Sequence, residues 1–264
     1  MTRPSTDADD GGRFTRPARS DAYWSHVVDV YDAYPTIRHR RRLVVAELER
    51  LCQGRDRTTL RLHDFGCGNG QLLAACVDAC RLKEAAVSGS DVSAIAIDVA
   101  GERLPAAKFT VADFPALDHR LDLVVCSEVL EHTTGYRRIL EWTHANLAEN
   151  GAAIFTTQGG RIHASDRYAG HTQHFDSSLL CDEMRDVGFT VERAYRWGWP
   201  LFSLQKWLTN WRFEQVRDHY LEGGLNPRKR GVFAAAYLAY FVHDAIRLGP
   251  QIVVAVRRRR GLDG

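Results

Sequence analysis

The chain has 264 residues, enough for one large domain or a domain with an insertion. Hydrophobic residues make up 45%, enough to fill a core, and a formal net charge of +2 gives no reason to expect a general nucleic-acid or DNA binder. Residues 1–20 are polar and read as a disordered start without a signal peptide, and the longest apolar run, 232–242, is too short to span a bilayer.

The elements follow in chain order. Residues 23–51 carry a helical pattern with a break at Pro35. The apolar run 60–65 predicts a first strand, and 71–81 its helix. Residues 85–90 predict a second strand ending at Asp91, with Ser93 as a helix cap. Residues 108–111 and 121–127 give the third and fourth strands, and the fourth is almost continuously apolar, as a central parallel strand is. A helix over 136–147 and a strand over 151–157 follow. Asp176 caps a helix that runs to Val187 and stops at Gly188. Residues 190–197 and 251–257 are the sixth and seventh strands. Such alternation predicts an α/β fold with a doubly wound, mostly parallel seven-stranded sheet, a Rossmann-like architecture.

Residues 200–248 stand outside this rhythm. They hold two helical blocks, split at 223–227, with Trp207, Trp211 and Phe213 in the first and Phe233, Tyr237, Tyr240 and Phe241 in the second. The aromatic stripes read as core packing, as a cap over the site or as a homodimer face. The domain division expected is therefore 1–20 disordered, 21–199 with 249–258 as the main domain, and 200–248 as a helical cap. The six cysteines, Cys52, Cys67, Cys76, Cys80, Cys126 and Cys181, form no C-x-x-C pair and read as buried thiols of a reducing cytoplasm. Only four basic residues are lysines, a coding bias that suggests a bacterial source. Residues 257–260 are four arginines, read as a solvated terminus or as an RNA or anionic-membrane contact.

The most informative stretch is 62–73, Leu-His-Asp-Phe-Gly-Cys-Gly-Asn-Gly-Gln-Leu-Leu. A strand, a tight turn with Gly66, Gly68 and Gly70, and a helix N-terminus let a nucleotide approach the backbone closely. The spacing is G-x-G-x-G, not the dinucleotide G-x-G-x-x-G. Asp64, two residues before the first glycine, repels a pyrophosphate and suits an ammonium. A ligand with a nucleoside at one end and an amino acid at the other satisfies both features, and S-adenosyl-L-methionine is that ligand. Asp91, at the tip of the second strand with Val92 after it, is placed where a carboxylate accepts two ribose hydroxyls.

The stretch resembles the first motif of class I S-adenosylmethionine-dependent methyltransferases. Residues 126–132, Cys-Ser-Glu-Val-Leu-Glu-His, likewise resemble the E-V-L-E-H segment of the small-molecule enzymes in that class. The resemblance covers 23–197 and returns at the seventh strand. It implies a methyltransferase in which Asp64 and the three glycines hold the methionine end, Asp91 the ribose, and Asp113 and Phe114 the adenine. Ser127 and Glu128 then line the site, and Tyr23, Trp24 and Tyr31 close over the cofactor. The chain has no Asn/Asp-Pro-Pro-Tyr turn, no Pro-Cys and no second glutamate ten residues from Glu128. The subclasses that methylate adenine or glutamine amines, cytosine carbon and protein arginine are thereby excluded. The expected acceptor is a hydroxyl or amine of a small metabolite, in bacterial secondary metabolism.

His132, His171 and His174 fall in loops at the carboxyl ends of strands and are candidate bases. Glu128, Glu131, His132 and a later histidine are alternatively a divalent-metal site. Ubiquinone-pathway O-methyltransferases and the enzymes that methylate RNA 3′-terminal 2′-hydroxyls use a similar pattern with magnesium or manganese. Three readings stand: a metal-free small-molecule methyltransferase, a metal-dependent RNA-terminal 2′-O-methyltransferase, and a non-catalytic subunit that binds the cofactor.

Overall fold

Apolar runs bounded by turn residues build the sheet. The computed structural model describes residues 20, 21, 23, 24, 30–218 and 224–259. Its strands are β1 (Leu62–Phe65), β2 (Val87–Asp91), β3 (Lys108–Val111), β4 (Leu121–Ser127), β5 (Leu147–Gln158), β6 (Phe189–Trp197) and β7 (Gln251–Arg258). They form one seven-stranded sheet in the order β3-β2-β1-β4-β5-β7-β6. The first five strands are mutually parallel, and β7 runs antiparallel to both β5 and β6. This is the doubly wound Rossmann-like fold that the alternation predicts.

The helices are α1 (Pro35–Leu51), α2 (Gln71–Cys80), α3 (Ala94–Arg103), α4 (Tyr136–Asn146), α5 (Ala164–Ala169), α6 (Ser177–Val187), α7 (Leu201–Trp211), α8 (Phe213–Val216) and α9 (Pro227–Ala239). Alternation along β4 sorts them onto two faces. Leu123 and Val125 pack with Leu43 and Leu48 of α1 and Leu73 and Val77 of α2. Val124 and Cys126 pack with Ile139 and Leu140 of α4 and Leu180 and Met184 of α6. Each fully buried aliphatic side chain contributes about 1.5–3 kcal/mol. The chain leaves β1 toward β2 on one side and returns to β4 on the other. That topological switch opens a crevice at the strands' carboxyl ends, where ligands bind in open α/β sheets.

Caps form as the sequence dictates. Ser93 Oγ accepts from Ala96 N at 3.2 Å, and Asp176 Oδ1 accepts from Ser178 N at 2.9 Å and Leu179 N at 3.2 Å. Pro35 opens α1, where no helical N–H is needed. All six cysteines are buried thiols.

Several expectations need correcting. Strand β2 starts at Val87, because Glu84–Ala86 is a 3-10 turn, and β5 reaches back to Leu147. The helix α5 lies in a stretch without apolar periodicity. Arg257 and Arg258 belong to β7 and are not a solvated tail. Arg257 Nε pairs with Glu192 Oε1 at 2.5 Å and its Nη1 donates to Asn150 O at 2.7 Å, while Arg258 donates to the Leu147 carbonyl. Arg260, the disordered reading of 1–19 and residues 219–223 of the insertion lie outside the described residues.

The insertion's aromatic residues divide between two roles. Phe233 and Tyr240 are buried, whereas Trp207 and Trp211 are exposed and stack on each other at 5.7 Å. Among the described residues no helix is long and apolar enough to cross a membrane.

Candidate active site

The crevice at the switch point is a cavity of about 650 Å³. Its walls include Asp64, Gly66, Gly68, Asp91, Val92, Asp113, Ser127, Glu128, His132 and His171. Gly70, Phe114, Glu131 and His174, also named from sequence, do not form its walls. Gly70 is the N-cap of α2, with φ of 72°. Phe114 packs on Phe65 at 5.7 Å and lies beneath the Arg138 guanidinium. Two glycines of the turn are obligatory. Gly66 and Gly68 have φ of 74° and 51°, and a Cβ would overlap Val129 at the first and the Trp24 ring at the second.

Two ionisable groups on the cavity wall lack a partner. Asp64 is 2% exposed, and neither carboxylate oxygen has a hydrogen-bond partner. Burial, with Asp91 nearby, pushes its pKa up to about 8. Arg41, on α1, lines the same cavity and makes no ion pair among the described residues. An α-amino acid brings an ammonium and a carboxylate to such a pair. Asp91 is held differently: Oδ2 accepts from Gly68 N and Oδ1 from Ser93 N, each at 2.9 Å. Each oxygen keeps lone-pair capacity toward the cavity. Burial raises the Asp91 pKa, and the backbone N–H groups of Ser93, Gly68 and Val92 oppose that rise.

Other charges on the cavity wall are matched. Arg40 Nη1 meets Glu128 Oε2 at 3.1 Å, both side chains being nearly buried. Lys206 Nζ meets Asp166 Oδ2 at 3.0 Å and donates to Gln158 Oε1 at 2.8 Å. Glu128 sits at φ of 58°, a left-handed conformation uncommon outside glycine and typical of functional sites. Three contacts hold it there. Its N–H donates to Thr156 O at 2.9 Å, its Oε1 accepts from Thr156 Oγ1 at 3.0 Å, and its Oε2 faces Arg40.

The three histidines form a chain. The His132 and His171 rings meet edge to face at 4.8 Å, and His171 Nδ1 lies 3.0 Å from His174 Nε2. His174 Nδ1 lies 3.1 Å from Gly160 O. A carbonyl only accepts, so His174 Nδ1 carries its proton, and its Nε2 in the neutral ring is an acceptor. His171 Nδ1 must therefore donate to it, which leaves His171 Nε2 with a bare lone pair. Burial first, then the neighbouring His132 and His174, push the His171 pKa down to about 2. Glu131 lies behind this chain, fully buried. Its Oε2 accepts from Thr157 Oγ1 at 2.7 Å, and its Oε1 has no partner. Burial and Glu128 raise its pKa well above the carboxylate range.

Donor atoms of Glu131, His132 and His171 lie within 4.8 Å of one another, as do those of Asp166, His171 and His174. Glu128 belongs to neither cluster. Sequence reasoning missed Arg40, Arg41, Asp166 and Lys206. No local motif marks them, because each acts across a fold contact.

The sheet order and the glycine turn at its switch point define a Rossmann-like protein of the nucleotide-binding kind. Residues 36–194 match the profile of a methyltransferase domain family, and the chain belongs to that family. It is an S-adenosylmethionine-dependent methyltransferase. No curated protein matches its sequence. Solved structures share the fold. Haemonchus contortus phosphoethanolamine N-methyltransferase 2, in complex with phosphomonomethylethanolamine and S-adenosylhomocysteine, aligns at TM-score 0.63 and 15% identity over 94% of this chain. The present chain spans only 61% of that protein. The cyclopropane synthase MmaA2 of Mycobacterium tuberculosis aligns at TM-score 0.60 and 12% identity, over 94% of this chain and 99% of that one. NodS, an N-methyltransferase of Bradyrhizobium japonicum in complex with S-adenosylhomocysteine, aligns at TM-score 0.54 and 15% identity, over 91% and 100%.

Proposed function

We propose that the chain methylates a hydroxyl or amine of a small acceptor without a metal, the acceptor lying beside His171 and Lys206. The observation that carries this reading is a contrast within the cavity: Asp64 and Arg41 stand unpaired among the described residues, whereas Glu128 and Asp166 are paired to Arg40 and Lys206 and His171 keeps a bare imidazole nitrogen. Bound S-adenosylmethionine supplies a methyl group on an already activated sulfonium. Asp64 takes the ammonium of its amino-acid tail and Arg41 the carboxylate. Asp91 accepts the ribose hydroxyls, and Asp113 the adenine amine. His171 Nε2 takes the acceptor's proton, while His174 and the Gly160 carbonyl fix the ring and its tautomer. The six buried, unbridged thiols support a cytoplasmic setting.

The insertion closes the acceptor side. Helix α7 brings Phe202, Gln205, Lys206 and Thr209 to the cavity wall. It is tied to α5 through Asn210, whose Oδ1 accepts from Ser165 N at 2.9 Å, and to the N-terminal side through Gln205, which donates to Tyr34 Oη at 2.8 Å. Lys206→Met leaves Asp166 unmatched beside His174. The expected result is a fall in kcat of roughly tenfold, from a disturbed imidazole chain, with affinity for S-adenosylhomocysteine unchanged by calorimetry. Loss of that affinity would assign Lys206 to the cofactor site.

A metal-dependent reading is favoured by one observation, the Glu131, His132 and His171 cluster with its orphaned Glu131 oxygen. Carboxylate and imidazole donors suit a divalent cation, which would acidify an acceptor hydroxyl. Activity in excess chelator separates the two readings. Full activity is the expected outcome, and loss restored by magnesium or manganese would replace the proposal with the metal mechanism.

A further inference from the structure

The acceptor side of the cavity, as proposed above, also specifies the kind of acceptor, an inference that rests on that methyl-transfer reading. Its ionised side chains are already spent on each other: Arg40 on Glu128 at 3.1 Å and Lys206 on Asp166 at 3.0 Å. A phosphate or carboxylate on the acceptor would have to break one pair to find a cation. An ammonium would have to break one to find a carboxylate. Either leaves a charge unmatched in a nearly buried site, which is costly.

What is unspent there is a carboxamide. Gln251, the first residue of β7, lines the cavity and is 0% exposed, and neither its Oε1 nor its Nε2 has a partner. It stands directly opposite Gln158 in the antiparallel β5–β7 register, so both side chains emerge on one face. Gln158 spends its Oε1 on Lys206 and keeps its N–H donors. Gln205, by contrast, is engaged at both ends, donating to Tyr34 and accepting from Tyr240. A buried amide with both ends open calls for a partner that donates and accepts at neighbouring atoms. A carboxylate only accepts and an ammonium only donates. Adjacent hydroxyls do both.

We propose that the moiety entering the cavity is an uncharged polyol, a sugar-like ring, read by the carboxamides of Gln251 and Gln158. Tyr34, Tyr168 and Phe202 also line the cavity, and aromatic residues suit the C–H groups of such a ring.

The test is saturation-transfer NMR on the full chain loaded with S-adenosylhomocysteine. The probes are neutral methyl glycosides of glucose, mannose, galactose and rhamnose, with methyl glucuronide and methyl glucosaminide as charged analogues. At least one neutral glycoside is expected to show saturation, at least fivefold stronger than either charged analogue. Gln251→Leu should lower that signal fivefold or more while its Tm stays at or above wild type, because an unpaired buried amide is removed. Gln251→Glu, of equal volume, should move the preference to the glucosaminide. No saturation by any neutral glycoside, equal saturation by a charged one, or a Gln251→Leu variant with lower Tm and an undiminished signal (the mark of an amide paired only to buried water) would each overturn the proposal. Failure of S-adenosylhomocysteine to bind in calorimetry would instead remove the reading on which it rests.

Discussion

His171→Ala is expected to lower turnover by roughly 10²-fold, the lower end of what a positioned general base contributes because burial weakens this imidazole as a base, while leaving the affinity for S-adenosylhomocysteine intact. The expectation follows from tautomers. The Gly160 carbonyl fixes the proton on His174 Nδ1, His174 fixes the one on His171 Nδ1, and His171 Nε2 is left open. His174 does not line the cavity, so its replacement acts through His171. His174→Gln, which can still accept from His171 Nδ1, should retain most of the rate, and His174→Leu should lose it. The pH profile supplies a second check. A base protonates as pH falls, and burial holds the His171 pKa at about 2. With S-adenosylmethionine saturating, so that Asp64 is already ionised, the acid limb of kcat/KM for the acceptor should therefore lie below the 6.5 of an ordinary histidine. A limb near 6.5 that disappears in His132→Ala would move the base to His132.

Much of this was legible because it is local. The glycine turn after β1 is encoded in five consecutive residues, with Asp64 one strand residue before Phe65. Strand β4 fell on its predicted bounds because its apolar run ends at turn residues, and the short, largely exposed β3 also fell on its own. The antiparallel sense of β7 was not legible, since a buried strand reads the same in either direction. Helix α5 was invisible because six residues give no periodicity. It is held by Asp166, which accepts from His163 N at 2.8 Å, and by Asn210 forty-five residues away. The Arg40–Glu128 pair spans 88 positions and the carboxamides of Gln158 and Gln251 span 93, with no motif at either end. The sequence could place three histidines near the site but could not order them. That order comes from one carbonyl oxygen, whose position is a property of the folded loop.

The second large effect concerns Asp64. Its carboxylate is buried without a partner, and its pKa near 8 means that in the cofactor-free protein it is mostly protonated at pH 7. An ammonium placed beside it stabilises the ionised form. Binding of S-adenosylhomocysteine near pH 6.5, where the ligand's amine is already protonated, should therefore release close to one proton. Calorimetry in buffers of different ionisation enthalpy measures that number directly. The sign reverses at high pH. Near pH 9.5 Asp64 is already ionised and part of the ligand's amine, whose pKa is raised above the peptide α-amino value by its own carboxylate, must gain a proton to pair with it, so uptake is expected. Asp64→Asn should abolish the release and weaken binding by roughly 10–100-fold. That is less than the 3–5 kcal/mol usual for a broken buried pair, because ionising Asp64 at pH 7 already costs about 1.4 kcal/mol. Asp91→Ala should also weaken binding by tenfold or more, through charge-assisted hydrogen bonds worth roughly 1.5–3 kcal/mol, but it should leave the proton count nearly unchanged. The contrast assigns the two ends of the ligand. Were Asp91→Ala to abolish the release while Asp64→Asn spared it, the ammonium would lie at the tip of β2 and the orientation of the cofactor proposed here would be inverted.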